Sequence, residues 1–122
     1  MPLLESPMLH RLERFLDATS FRHNVIVNNM ANADTPGYKT QDVDFRQTLA
    51  EMMGGGQPGV MTASFSPSAH SVKGLSERPD GNNVSLEREG LLLAENQLQY
   101  RLGIQLLRGN VRQIQSAINE GR

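Results

Sequence analysis

The sequence predicts a mainly α-helical fold in which two long terminal helices pair as an antiparallel α-helical coiled coil. In both terminal parts of the chain, apolar residues recur at alternating spacings of three and four, which is the pattern of a helical seam. Between them, 54–84 is rich in Gly, Ser, Pro and Asn and carries only scattered apolar residues. This composition predicts loop or extended backbone that is disordered unless something covers it. With 122 residues, the chain has the size of one domain, 1–122.

The first helix is predicted over 7–32. Ser6 and Pro7 favour its start, because serine caps free backbone amides and proline is tolerated at the first helical position. The apolar stripe of this helix is narrow, so it suits a partner helix better than a broad core. The stripe consists of Leu9, Leu12, Leu16, Thr19, His23, Ile26 and Met30.

This helix is predicted to stop within 28–38, which reads NNMANADTPGY. Pro36 has a fixed φ and biases Thr35 away from helix, and Gly37 can take the positive φ of a type II turn. Asn and Asp side chains can satisfy the freed backbone groups, so we expect a defined corner at the helix end. The turn motif comprises Asn29, Ala31, Asn32, Thr35, Pro36, Gly37 and Tyr38.

A short ordered segment is predicted after the turn. Phe45, Leu49 and Met52 or Met53 have the spacing of a short helix, so 33–53 is expected to hold the turn motif and this segment. The Gly/Ser/Pro-rich loop of 54–84 follows.

The second long helix is predicted over 85–120. Ser85 can cap it, and Glu87 and Glu89 in its first turn suit the positive end of the helix dipole. Its three-four spacing continues without interruption to the end of the helix. The predicted seam consists of Leu86, Gly90, Leu93, Gln97, Tyr100, Ile104, Leu107, Val111, Ile114 and Ile118.

The second helix carries more than one apolar face. Gly103 and Gly109 lie inside it, and each costs about 1 kcal/mol relative to Ala, which predicts that another backbone comes close there. Two apolar faces predict more than one neighbour, so we expect the fold to be completed by oligomeric assembly. The second face consists of Leu91, Leu98, Leu102 and Leu106.

Three arginines of the second helix, Arg101, Arg108 and Arg112, lie in a stretch that has no acid between Glu95 and Glu120. A basic flank beside a helical seam selects a partner helix by charge. On the first helix, Glu13 and Asp17 are the candidate counterparts, which would set register more than stability.

Composition argues against several classes of function. The formal net charge of -1 gives no general attraction to nucleic acid, and no apolar run approaches the length of a membrane span. The chain has no Cys, so it holds neither a disulfide nor a thiolate metal site. The start of the chain, MPLLESPML, lacks the features of a cleavable secretory signal, which by itself predicts a cytosolic protein.

No catalytic, cofactor or metal site is predicted. The residues His10, His23 and His70 lack metal spacing, and Asp42 and Asp44 are expected to be solvated beside the turn. The string DGNN at 80–83 fails the calcium-loop pattern at the following residue, and the glycines of 54–59 lack the Lys and Ser/Thr of a phosphate loop.

The string ANADTPGYK, followed by DVDF at 42–45, resembles the N-terminal signature of the bacterial flagellar rod and hook (axial) protein family. The strings DGNNVSLERE at 80–89 and LAENQLQYRL at 93–102 are similar to the C-terminal region of its proximal-rod members. The resemblance covers both ends and thins in the middle. Hook and distal-rod relatives would have large inserted domains there, so the short middle favours the proximal rod.

This resemblance implies a rod-type axial domain and a structural, non-enzymatic subunit of the flagellar basal body. Its helices would pack as a coiled coil, and stacked copies would form a helical tube that transmits torque and encloses the export channel. It implies contacts with other copies, with other rod subunits and with the basal-body ring and export-gate junction. It also places the protein in the periplasmic rod after export as an unfolded chain without a cleaved signal.

A different class remains open, namely a small coiled-coil binding module such as an export adaptor or chaperone. Such a chaperone is expected to form one defined oligomer in dilute solution.

Overall fold

Two long helices dominate the computed structural model, which describes residues 7–52 and 68–121. At about 1.5 Å per residue, the 25 residues of the first helix span about 37 Å and the 35 residues of the last about 52 Å. The predicted mainly α-helical fold, with two long helices and a largely irregular middle, is confirmed. In chain order the elements are α1 (Pro7–Ala31), β1 (Gln41–Asp42), α2 (Phe45–Met52), β2 (His70–Ser71) and α3 (Leu86–Glu120).

The start of α3 follows the rules for helix capping. Ser85 has extended backbone, and its side chain accepts a hydrogen bond from the backbone N–H of Arg88 at 3.3 Å. Glu87 and Glu89 lie in the first turn, where negative charge is favourable. The predicted cap of α1, Ser6, lies outside the described residues.

The helices α1 and α3 pack side by side, and their contacts run in opposite order along the two helices. Residues near the end of α1 meet residues at the start of α3, and residues nearer its start meet the middle of α3. The contacting pairs are Asn29–Glu89, Thr19–Asn96 and Leu16–Gly103.

The side of α3 that faces α1 differs from the predicted seam. Glu89, Asn96 and Gly103, spaced by seven residues, are the buried positions of α3. The apolar pattern predicts that the residues one position later face α1, because apolar periodicity does not count polar side chains. Glu89 and Asn96 can be buried since each has a hydrogen-bond partner on α1. As a result, Tyr100, Val111 and Ile118 of the predicted seam are exposed within the protomer.

The described segments between α1 and α3 are linked to α1 by side-chain contacts. Strands β1 and β2 pair antiparallel, with Gln41 opposite Ser71. Arg22 on α1 donates two hydrogen bonds to the Asp42 carboxylate, at 3.1 and 3.2 Å. The ring of Phe45, the first residue of α2, meets the ring of Phe15 edge to face at 5.8 Å.

Part of the predicted loop of 54–84 is tightly packed. Asn82, Asn83 and Val84 are buried, because this segment lies against the turn that ends α1. The turn that ends α1 therefore covers this segment. The sequence predicts disorder in 54–84 only where nothing covers the backbone, so order here agrees with that expectation. The glycines of 54–59 lie outside the described residues.

Candidate assembly site at the corner

The corner after α1 contains the predicted turn. The backbone N–H of Tyr38 donates to the carbonyl of Thr35 at 3.2 Å, which closes a four-residue turn around Pro36 and Gly37. The φ of Gly37 is 74°, in the left-handed region that favours glycine. The Thr-Pro-Gly string thus fixes the direction in which the chain leaves α1.

A segment far along the chain, 78–84, caps this corner. The side-chain amide of Asn82 donates to the carbonyls of Asn32 at 2.9 Å and Thr35 at 2.8 Å. The guanidinium of Arg78 donates to the carbonyl of Ala33. All three carbonyls belong to the turn that follows α1, so these donors hold the segment 78–84 against the end of the helix.

Two glycine turns lie against each other in the corner. The backbone N–H of Gly37 donates to the carbonyl of Asp80 at 2.9 Å. Gly81 has a φ of 85°, and a Cβ there would lie 3.5 Å from the Cα of Gly37. Lys39 closes the arrangement by donating to the carbonyl of Gly81 and pairing with Glu77 at 2.7 Å.

A buried polar network joins the corner to α3. The Glu89 carboxylate accepts from the hydroxyl of Thr40 at 2.6 Å and from the side-chain amide of Asn29 at 3.2 Å. Asn29 also donates to the carbonyl of Gln41 at 2.6 Å and accepts from its N–H at 3.0 Å. The N–H of Thr40 donates to Asn83 Oδ1 at 2.6 Å. Three separate segments are therefore held by one set of hydrogen bonds.

The structure brings most of the predicted turn motif together. Asn29 lies at the centre of the buried network, and Tyr38 donates its hydroxyl to Asn29 Oδ1 at 3.0 Å. Thr35 donates its hydroxyl to Asn32 Oδ1 at 3.1 Å. Pro36 and Ala31 are exposed, and no described contact accounts for Ala31.

Sequence reasoning missed the partners of the turn, namely Thr40, Asn82, Asn83 and Glu89. Two adjacent asparagines after an Asp-Gly turn were a usable signal, since asparagine amides commonly satisfy turn backbone groups. The string by itself indicates only a local turn, and nothing local indicates which distant carbonyls its side chains meet.

Of Gly103 and Gly109, only Gly103 is closely packed among the described residues. A Cβ there would lie 2.8 Å from Leu16 Cδ2 and 2.9 Å from Phe15 Cδ1. The close neighbours are thus side chains, whereas the sequence predicted a backbone. At Gly109 a Cβ would meet nothing within 4 Å among the described residues, so a close approach there stays a prediction for a neighbouring subunit.

The predicted packing residues divide between the interior and the surface. On α1, Leu12 and Ile26 are buried and Leu9, Leu16 and Met30 are half-buried. On α3 the half-buried members are Leu93, Ile104, Leu107 and Ile114.

The second apolar face of α3 is open to solvent. Its four leucines fall on one side of the helix, away from the buried positions. We call these residues the leucine stripe. Their exposed fractions are 62% for Leu91, 65% for Leu98, 57% for Leu102 and 53% for Leu106.

A cavity of about 430 Å³ opens between α1 and α3. It contains one histidine and no carboxylate, which does not fit the ligand set of a metal ion. Elsewhere in 7–52 and 68–121, no three His, Cys, Asp or Glu side chains gather as a metal site. None of the described helices combines the length and apolarity of a membrane span. The cavity is lined by Thr19, Ser20, His23, Asn24, Asn96, Gln97, Tyr100 and Arg101.

Comparison with known proteins places these features in a family. A family model described as flagella basal body rod protein matches residues 16–39, which cover the second half of α1 and the corner. The chain is 31% identical to the flagellar basal body rod protein FlgB of Salmonella typhimurium, over 93% of this chain and 99% of that protein. It is 29% identical to FlgB of Bacillus subtilis, over 98% of both, and 29% identical to FlgB of Escherichia coli K12, over 87% and 88%. The chain therefore belongs to the FlgB family of flagellar basal body rod proteins.

Proposed function

We propose that this chain is a subunit of the proximal rod whose copies polymerise into a helical tube that transmits torque and encloses the export channel. In the tube, α1 and α3 form an antiparallel coiled coil, and the whole chain acts as one axial domain. The protein reaches the periplasmic part of the basal body as an unfolded chain through the export channel. Its partners are other copies, other rod subunits and the basal-body ring and export-gate junction.

Family membership carries the coarser part of this function, which is a structural role in the basal body rod and in motility. The step from a rod protein to a polymer rests on one observation of the molecule. The leucine stripe exposes four large apolar side chains on one face of α3, although a soluble helix normally keeps its apolar face covered. A neighbouring subunit would cover them.

The corner supports the same proposal. Because its hydrogen bonds fix the end of α1, the segment 78–84 and the start of α3, the two long helices have a set relative direction. A subunit of a tube that carries torque needs such a fixed direction in every copy.

The test replaces Leu98 and Leu102 together by Gln in the full chain, in a strain that lacks the native gene. We expect export to continue, while basal bodies with complete rods and swimming are lost. Leu86→Gln is the matched control, because Leu86 is 55% exposed but belongs to another face of α3. Normal swimming of the double variant would overturn the role of the leucine stripe.

A small coiled-coil adaptor or chaperone makes a different prediction in dilute solution. It would elute as one defined oligomer, whereas a rod subunit is expected as a monomer that associates further as its concentration rises. Size-exclusion chromatography with light scattering separates the two.

A further inference from the structure

Three arginines of α3 form an exposed row without partners inside the described molecule. Arg101, Arg108 and Arg112 are separated by seven and four residues, so they lie on one face of the helix. All three are exposed. Within 7–52 and 68–121, none of them takes part in an ion pair. We call this row the arginine stripe.

An acidic pair on α1 is likewise available. Glu13 and Asp17 are four residues apart and exposed. The sequence predicted that they pair with the arginine stripe, but no such pair forms among the described residues. The one ion pair there that involves Glu13 is with His10, at 3.9 Å between side chains that are about half exposed. Two opposite charge patterns on the same chain therefore lie unmatched among the residues that the structure describes.

The two patterns have the same spacing. Arg108 and Arg112 are separated by four residues, as are Glu13 and Asp17, so each pair spans about 6 Å along its helix. Two helices placed side by side could then form both ion pairs together. Complementary charge rows of this kind determine which partner binds and in which register, more than how tightly it binds.

We propose that the arginine stripe of one copy binds Glu13 and Asp17 of a second copy. This deepens the proposed function and rests on it, since it names the surfaces through which copies of the chain meet. A contact between two different surfaces of the same protein is heterologous, and it repeats from copy to copy into a ring or helix. The leucine stripe lies beside it, with Leu98 three residues from Arg101, which gives the contact an apolar part with a charged flank.

The test uses two full-length charge-reversed chains in a strain that lacks the native gene. One carries Arg108→Glu with Arg112→Glu, and the other carries Glu13→Arg with Asp17→Arg. Each alone brings like charges together at every contact, so we expect the fraction of cells with complete rods to fall about tenfold or more. Coexpression of both should restore rods, because alternating copies then meet with opposite charges on both sides.

Coexpression also separates contacts between copies from contacts within one copy. If the ion pairs formed within each chain, both chains would stay defective in each other's presence, and coexpression would restore nothing. If the arginine variant were defective and the Glu13→Arg with Asp17→Arg variant were normal, the arginine stripe would contact another protein. Either result overturns the proposal.

Two controls accompany the test. Arg46→Glu and Lys73→Glu reverse exposed charges that lie outside both charge patterns and outside the leucine stripe, and should leave rods intact. For a reversed chain that is poorly exported, light scattering on an equimolar mixture of the two purified chains replaces the cell assay. The mean mass should rise on mixing, and a mass equal to that of the separate solutions contradicts the proposal.

The outcome also distinguishes this inference from the proposed function. If coexpression fails but the Leu98 and Leu102 double variant still blocks rods, the charge pairing is wrong and the polymer proposal stands. If both assays leave rods intact, both proposals fail.

Discussion

The Asn29 amide nitrogen lies 3.2 Å from a carboxylate oxygen of Glu89, although 60 residues separate them along the chain. Both side chains are fully buried. The contact joins the last turn of α1 to the first turn of α3, so this carboxylate helps to set the relative position of the two long helices. Thr40 supplies a second hydrogen bond to it, at 2.6 Å.

Glu89→Ala should destabilise the fold strongly. It removes the acceptor shared by Thr40, Asn29 and Arg88 and leaves the buried Thr40 hydroxyl without it, which we expect to lower the free energy of unfolding by about 3 kcal/mol. Urea unfolding followed by circular dichroism measures this. Glu87→Ala in the same helical turn is the control, because Glu87 is exposed and should change stability by less than about 0.5 kcal/mol. Equal effects of the two substitutions would contradict the role of the network.

Glu89→Gln should lie between these two results. The new side chain keeps an oxygen for Thr40 but places an NH₂ group against the amide of Asn29, so one hydrogen bond is lost. We expect a loss of about 1 to 2 kcal/mol in the free energy of unfolding. A loss as large as that of Glu89→Ala would mean that the charge matters more than the hydrogen bonds.

Gly37→Val should disturb the corner through its backbone alone. Apart from its chain neighbours, no described residue lies within 4 Å of a Cβ at Gly37, but its φ of 74° is unfavourable for a β-branched residue. We expect a loss of about 2 kcal/mol in the free energy of unfolding for Val, and a smaller loss for Asn, which tolerates this region. Swimming of a complemented strain should follow the same order while export continues. Equal swimming of both variants would show that the turn is only a convenient helix stop.

The corner illustrates what sequence reasoning can reach. The type II turn at Thr35–Tyr38 follows from the local chemistry of Pro36 and Gly37, and the cap at Ser85 from the chemistry of helix starts. The sequence does not predict which residues contact this turn. Asn82 and Glu89 reach it only because the folded chain brings them there, and their sequence neighbours carry no sign of this contact.

The seam of α3 shows the same limit for periodicity. Apolar spacing correctly located a long helix and its exposed leucines, but it could not say which face meets α1. The face that meets α1 carries Glu89, Asn96 and Gly103. Their burial depends on hydrogen bonds and on the space between the helices. A pattern of apolar positions cannot predict polar residues that are buried for these reasons.

Gly103 and Gly109 should respond to Ala with opposite changes in stability. Gly109→Ala meets open space and should raise the free energy of unfolding by about 1 kcal/mol through helix propensity. Gly103→Ala gains the same propensity but displaces Leu16 and Phe15, so we expect a net loss of about 1 kcal/mol. Urea unfolding of the two variants checks this. A stabilised Gly103→Ala chain would mean that Leu16 and Phe15 move aside at little cost.

Gly103→Leu extends the same argument to assembly. Its larger side chain must push α1 away, and Phe15 would carry the disturbance to Phe45 and α2. We expect a loss of about 3 kcal/mol in the free energy of unfolding and failure of rod completion while export continues. Electron microscopy of basal bodies from a complemented strain measures the second effect. Complete rods built from this variant would contradict it.

Asn96→Leu should stabilise the pairing of α1 and α3 but make it less specific. Asn96 is 2% exposed and donates to the carbonyl of Thr19 at 2.8 Å, while its Oδ1 accepts no hydrogen bond from the described residues. Leu removes this unpaired acceptor, and its larger side chain can fill part of the cavity that Asn96 lines, so the free energy of unfolding should rise by about 1 kcal/mol. A buried asparagine in a helical seam also fixes register, so its loss should broaden the distribution of oligomers in light scattering. Asn96→Ala is the control, because it removes the acceptor but leaves a cavity and should destabilise. If Leu destabilises as well, Oδ1 is satisfied by a donor inside the cavity that Asn96 lines.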